Sequence, residues 1–236
     1  MNGKASAIEV DEGMAAAKDT NWLQRWREGR TGWHQRQPLP LLLKHWPALG
    51  LPPGSRVLVP LAGKSLDMLW LMQQGYAVLG VELSELAVQQ FFAENRLAAQ
   101  SQRQVDGMHY SSGDLVIIQG DIFKVAARAF ESCNAVYDRA ALVALPAELR
   151  QAYAHEVYGK LPADCRGLAI TLEYPQAEMQ GPPFAVDEQE VHRLFDAGWE
   201  ITRLERRNIL ASEPRFAATG VSALATVVYR LQRRAP

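Results

Sequence analysis

Gly63 and Glu82 are the two residues of this chain best placed to grip a nucleoside-bearing cofactor. Gly63 follows the short apolar run Arg56–Pro60, and Glu82 closes a second apolar run, Ala77–Val81. Between them Leu66, Leu69, Trp70 and Gln73 recur at helical spacing, so the stretch reads strand, turn, helix, strand. In such a unit the strand tips lie side by side, and Gly63 and Glu82 face one crevice. A carboxylate there accepts both hydroxyls of a ribose, while glycine lets backbone approach the ligand. A P-loop, hinted at by Gly63-Lys64-Ser65, needs a second glycine where Leu58 stands inside the strand. The dinucleotide fingerprint needs three glycines, and only Gly63 is present. S-adenosylmethionine carries a ribose but no phosphate, so it needs the acid and not the cradle. Two readings stay open on the residues alone: a site for that cofactor, or a plain α/β domain.

Other chemistries find no support. His34, His45, His109, His155 and His192 are scattered, with no i,i+4 pair and no Cys-x-x-Cys, so no metal site is expected. No Gly-x-Ser-x-Gly elbow points to a hydrolase. Cys133 and Cys165 are too few for a disulfide framework, and a reducing cytoplasm is the expected setting. A net charge of −1 lacks the basic surplus of a nucleic-acid binder, although Arg230, Arg233 and Arg234 cluster near the end. No apolar run approaches the roughly 18 residues of a membrane span.

The elements that must position Gly63 and Glu82 follow from composition and periodicity. At 236 residues and 48% hydrophobic, the chain can bury one full core. Residues 1–20 are polar and Ala-rich, without a signal-peptide layout, and are expected to be a mobile arm. Residues 21–236 then form one domain, with 21–50 as a helical lid. Trp22 and Trp26 share a helix face, Gly29 and Gly32 break that helix, and Pro38–Leu49 starts another that stops at Gly50. Ser84 is an N-cap for a helix to about Ala98. Residues 106–118 read as a hairpin around Ser112-Gly113, and Asn134–Tyr137 and Gly167–Glu173 as further strands. Helices are expected over Pro146–Lys160 and Asp187–Ala197, and a closing antiparallel pair over Trp199–Arg207 and Leu224–Leu231. The fold class is therefore α/β: a Rossmann-like, mostly parallel doubly wound sheet of about seven strands with an antiparallel edge.

Several motifs in order resemble the thiopurine S-methyltransferase family, from about Trp22 to Leu231. They are W-x-x-x-W-x-x-G-x-x-G-W-H-Q (Trp22–Gln35), V-L-V-P-L-A-G-K-S-L-D-M-L-W-L (Val57–Leu71) and G-V-E-L-S-E (Gly80–Glu85). Asp138-Arg139-Ala140-Ala141-Leu142 and G-P-P-F (Gly181–Phe184) complete them. One departure is Ala62, where the family usually carries Cys. The resemblance implies a cytosolic, monomeric class I methyltransferase of bacterial type that uses S-adenosylmethionine, releases S-adenosylhomocysteine and holds no metal. Its acceptors would be aromatic and heterocyclic thiols, thiopurines among them, and bacterial members are also associated with tellurium and selenium oxyanions and tellurite resistance.

Carried over residue by residue, the cofactor contacts fall on Trp26, Leu61, Glu82 and Arg139, with Asp121 and Ile122 flanking adenine. Leu61 would meet the methionine portion or serve as a core leucine; Glu82 would take the ribose or cap the next helix. Asp121 is equally a helix N-cap. Arg139 offers a bidentate fork to the cofactor carboxylate or an anionic substrate, or pairs with Asp138. Trp26 and Trp33 would form an aromatic lid, favourable to a sulfonium by roughly 0.5–2 kcal/mol of cation–π attraction. Trp33, Phe184 and Arg215 are the substrate candidates, with Arg215 otherwise a solvated residue. His34, beside the lid, is a turn residue or a proton aid. The catalytic group is left unassigned, with Arg139 and Arg215 as candidates. An ionised heterocyclic thiol needs little base, so alignment and water exclusion are the expected contribution, with no indispensable side chain. The alternatives are a related halide or thiocyanate methyltransferase, and a non-catalytic cofactor-binding protein of the same fold.

Overall fold

Strand β1 (Arg56–Val59) buries Val57 and Val59 on one face and Leu58 on the other. A strand apolar on both faces belongs inside a sheet that is covered on both sides. The structure, a computed structural model, describes residues 22–235, so the arm expected over 1–20 lies outside the described residues. Before β1 come helices α1 (Trp22–Arg27) and α2 (Pro40–His45). After it follow α3 (Asp67–Gln73), β2 (Ala77–Glu82), α4 (Glu85–Glu94), β3 (Gln100–Gln104), β4 (Gly107–Ser112) and β5 (Leu115–Gln119). The second half runs α5 (Ala127–Glu131), β6 (Ala135–Arg139), α6 (Ala147–Glu156) and β7 (Arg166–Glu173). It ends with α7 (Glu188–Phe195), β8 (Trp199–Asn208), α8 (Pro214–Ala217) and β9 (Ala225–Arg233).

The nine strands form one sheet in the order β3-β4-β5-β2-β1-β6-β7-β9-β8. The central five, β5 to β7, are parallel. Antiparallel pairs flank them on both sides, β3 and β4 at one margin and β9 and β8 at the other. The sheet thus has two strands more than the seven expected, and antiparallel pairing at both margins rather than one. β3 is the strand that periodicity misses. Its sequence, Gln-Ser-Gln-Arg-Gln, is exposed almost throughout and has no apolar alternation. Only the pairing with β4, from Gln100–Ser111 to Gln104–Gly107, makes it a strand.

One cluster of buried side chains lies on each face of the sheet. Leu58, Leu79, Val136 and Ala169 point into the first, together with Phe130, Tyr153, Tyr158 and Phe195 from the covering helices and turns. Val57, Val59, Val78, Tyr137 and Ile170 point into the second, closed by Leu42, Trp46, Met68 and Phe91. Cys133 and Cys165 are buried, and burial pushes their thiols up to about 11 and about 12. The chain runs outward from β1 through β2 to β5 and then returns to β6 on β1's other side. Such a reversal opens a crevice beyond the carboxyl ends of the strands.

Candidate active site

The turn after β1 is bent sharply enough that Leu61 and Gly63 both take positive φ, 45° and 55°. For Leu61 that conformation is strained, by roughly 1–2 kcal/mol. Two hydrogen bonds hold the bend on β2: Ala62 N–H to the Val81 carbonyl at 2.9 Å, and Gly63 N–H to Glu82 Oε2 at 2.8 Å. Glu82 Oε1 accepts the Ser84 N–H at 2.7 Å, while Ser84 Oγ caps α4 by accepting from Ala87 N–H. Burial raises the Glu82 carboxyl above the usual range, opposed by the backbone N–H groups of Ser84 and Gly63. A carboxylate has about four lone-pair sites, so two remain for the hydroxyls of a ribose. The donor set therefore fits the ribose of the expected cofactor. Glu82 is buried rather than on the surface, and it accepts from the N-cap residue of the next helix, so the capping role stands beside the ribose one.

A cavity of about 980 Å³ opens above this turn. Trp26, Trp33, Leu61, Glu82, Arg139 and Arg215 all line it, so most of the sequence-derived candidates meet in one place. Trp26 is buried, and a Cβ built on Gly63 would meet its Cζ2 at 3.3 Å. Trp33 packs edge-on against Trp22 and Trp26, with ring centroids 5.0 and 5.7 Å away. Arg139 Nη1 donates to the Trp33 carbonyl at 3.0 Å, and Arg215 Nη1 to the neighbouring Gly32 carbonyl at 2.9 Å. Two guanidiniums, one at the end of β6 and one in α8, thus hold adjacent peptide carbonyls of the segment that crosses from α1 to α2. Neither makes an ion pair among the described residues, which excludes the Arg139–Asp138 pair.

Asp138 has a different task. Its Oδ2 accepts the phenols of Tyr153 and Tyr158 at 2.8 and 2.9 Å, and its Oδ1 the Leu142 N–H at 3.2 Å. That network fixes the turn after β6, where Ala140 takes φ 65° and lines the cavity with Val143 and Ala144.

Three candidates stand apart from the cavity wall. Asp121 Oδ1 accepts the Phe123 N–H and caps the short turn Ile122–Lys124, and Ile122 is buried in the core. Both follow β5, whose Gln119 is paired with Glu82. Phe184 donates its N–H to the Val143 carbonyl and lays its ring on Gly181, leaving Pro182 and Pro183 to face the cavity. His34 is also outside the wall; burial, then the nearby Lys64 charge, lowers its pKa.

Sequence reasoning missed several wall residues. Leu83, next to Glu82 and exposed, had a readable signal: an apolar residue directly after the acid of a βαβ unit. Met179 from a loop, Arg207 from β8 and Phe216 from α8 also reach the wall and carry no local mark. Five arginines line the cavity (Arg25, Arg30, Arg139, Arg207 and Arg215) against two acids, Glu82 and Glu213. No group of three His, Cys, Asp or Glu that could hold a metal occurs among the described residues.

The chain matches the thiopurine S-methyltransferase family over residues 17–234. A protein named thiopurine S-methyltransferase from Xanthomonas axonopodis pv. citri is 62% identical over 217 residues, covering 92% of this chain and 100% of that protein. One of the same name from Bordetella parapertussis is 56% identical over 212 residues, covering 90% and 97%. Among solved structures, Burkholderia thailandensis 1,6-didemethyltoxoflavin-N1-methyltransferase with bound S-adenosylhomocysteine gives a TM-score of 0.64. That likeness covers 94% of this chain and 89% of the other at 16% identity. A SAM-dependent methyltransferase from Methanosarcina mazei gives 0.60 at 15% identity, covering 85% and 100%. At such identities the structural likeness speaks for the fold alone.

Proposed function

Because the chain belongs to the thiopurine S-methyltransferase family, we propose that this methyltransferase moves a methyl group from S-adenosylmethionine to the sulfur of aromatic and heterocyclic thiols. The observation that carries the reading is one cavity lined both by a nucleoside grip and by an apolar set of side chains. Gly63 and Glu82 form the grip; Val143, Leu172, Met179, Pro182 and Phe216 supply the apolar lining, three of them packed in one cluster, and Arg139 and Arg215 bond the lid. When bound, S-adenosylmethionine supplies a methyl group on a sulfonium sulfur, and S-adenosylhomocysteine is left.

The chain's own residues do the rest. Glu82 would take the ribose hydroxyls, the Leu61–Gly63 backbone and Arg139 the amino-acid end, and Leu83 with Asp121 and Ile122 the adenine. Trp26 and Trp33 cover the turn and keep water away. The arginine surplus favours the acceptor as its anion, which removes the need for a proton-abstracting side chain. Arg215 orients that anion from the acceptor side. The same positive lining supports tellurium and selenium oxyanions as further acceptors. A cavity near the top of the usual range of about 300–1,000 Å³ favours an aromatic acceptor over a halide.

The test is a methylation assay with labelled donor against a thiopurine, tellurite and iodide, beside calorimetric titration with S-adenosylhomocysteine. Product from the thiopurine and tellurite supports the reading. Binding without product from any acceptor would replace it with a non-catalytic cofactor-binding role, and product from iodide alone with a halide methyltransferase.

A further inference from the structure

Asp67 holds a buried carboxylate that the nucleoside grip and the acceptor wall leave unused. It stands in the first turn of α3 and is 3% exposed. Its Oδ1 accepts the backbone N–H of Leu39 at 2.7 Å, and its Oδ2 the phenol of Tyr137 at 2.9 Å. No cation pairs with it among the described residues. A buried charge without a counter-ion is costly, so two good donors and the positive end of α3 must offset it. Burial holds the Tyr137 pKa well above its ordinary value, which keeps the phenol a donor. The carboxylate receives one donor on each oxygen, and an alanine in its place would receive neither.

The two donors come from the parts of the site that must agree. Leu39 lies in the cavity wall, at the N-cap of α2, where the crossing segment ends. Tyr137 is two residues before Arg139 on β6, hence on the same face of that strand. Arg139 holds Trp33, so one strand face fixes the crossing segment twice: directly at Trp33, and through Asp67 at Leu39. The helix that carries Asp67 also continues from the Gly63 turn on which Trp26 rests. We propose that Asp67 is a positioning residue for methyl transfer, a pin that sets the Trp22–Leu39 segment against the cofactor turn and the Arg139 strand together. The pin rests on the methyltransferase reading above, because it gains its purpose from aligning donor and acceptor sites.

The experiment compares the parent protein with Asp67→Ala and Leu39→Pro. The second variant removes the lid's N–H donor together with the Leu39 side chain, at a φ of −66° that proline adopts, and leaves the core carboxylate in place should the first fail to fold. Hydrogen exchange of the 23–37 amides and trypsin cleavage at Arg25, Arg27, Arg30 and Arg36 are followed with and without S-adenosylhomocysteine. Both variants are expected to raise segment exchange and cleavage about tenfold or more, with β1 and β6 exchange unchanged. Turnover of a thiopurine should fall by a comparable factor, chiefly in kcat. Segment exchange within twofold of the parent in both variants would overturn the proposal, and so would a loosened segment with unchanged kcat. A parent protein that methylates no acceptor would instead remove the functional reading and leave the pin to be decided by exchange.

Discussion

Gly63 donates its backbone N–H to Glu82 Oε2 at 2.8 Å, so the bend after β1 and the acid ending β2 behave as one piece. Replacing Glu82 with alanine removes the ribose acceptor and leaves the Gly63 and Ser84 N–H groups unpaired. The expected result is a loss of S-adenosylhomocysteine affinity of about tenfold to several hundredfold, read as a lost thermal shift. A full shift in the variant would cancel the ribose assignment.

The same acid sets a pH dependence. Burial raises its pKa in the folded protein, so between the ordinary glutamate value and the raised one the folded state holds more protons than the unfolded chain. Its contribution to stability is therefore full at low pH and declines as pH rises through that window. Ligand binding has the opposite slope, because only the ionised acid can accept both ribose hydroxyls. Calorimetry should find affinity falling as pH drops through the raised pKa, earlier than an ordinary glutamate would dictate. Glu82→Gln should bind weakly with a flat profile across the same range.

Gly63→Ala tests the close approach of lid and turn. The new methyl group would sit 3.3 Å from Trp26 Cζ2 on a residue whose φ is +55°. We expect about 1–2 kcal/mol of destabilisation in urea, with a shift in tryptophan emission as Trp26 is displaced. An unchanged spectrum would mean that Trp26 does not rest there in solution.

Arg139→Lys and Arg215→Lys should each lower acceptor kcat/KM by roughly ten- to a hundredfold without abolishing turnover. A lysine reaches the lid carbonyl but cannot hold it and an anion with one planar fork. Only the Arg139 change should also weaken S-adenosylhomocysteine, as a binding titration will reveal. Complete loss of methyl transfer in either variant would point to an indispensable guanidinium, against catalysis by alignment alone.

The central unit was legible because its constraints are local. Val57–Val59 and Ala77–Val81 are too apolar for anything but a two-sided parallel sheet, and the short βαβ connection forces Gly63 and Glu82 together. β3 stayed hidden because its five residues bury almost nothing and become a strand only through β4. The acceptor wall was harder for a related reason. Met179, Arg207 and Phe216 come from a loop, from β8 and from α8, and no spacing in the chain encodes that meeting. Phe184 drew attention beside Pro182-Pro183, yet the loop turns its ring back onto Gly181 and presents the prolines instead. Asp67 lay unnoticed within a motif, since its partners Leu39 and Tyr137 are 28 and 70 residues away.

The two thiols of this protein are sealed, Cys133 and Cys165 being almost without solvent contact. With their pKa values pushed up to about 11 and about 12, the ionised fraction at neutral pH is on the order of 10⁻⁴ or below. Ala62 stands in the turn beside the grip, where the resemblance would place a third thiol. A methyltransferase of this family thus keeps its own sulfhydryls out of reach of the methyl donor. The donor is not squandered on self-modification, and electrophiles or oxidants reactive toward foreign thiols have no sulfhydryl near the pocket to poison.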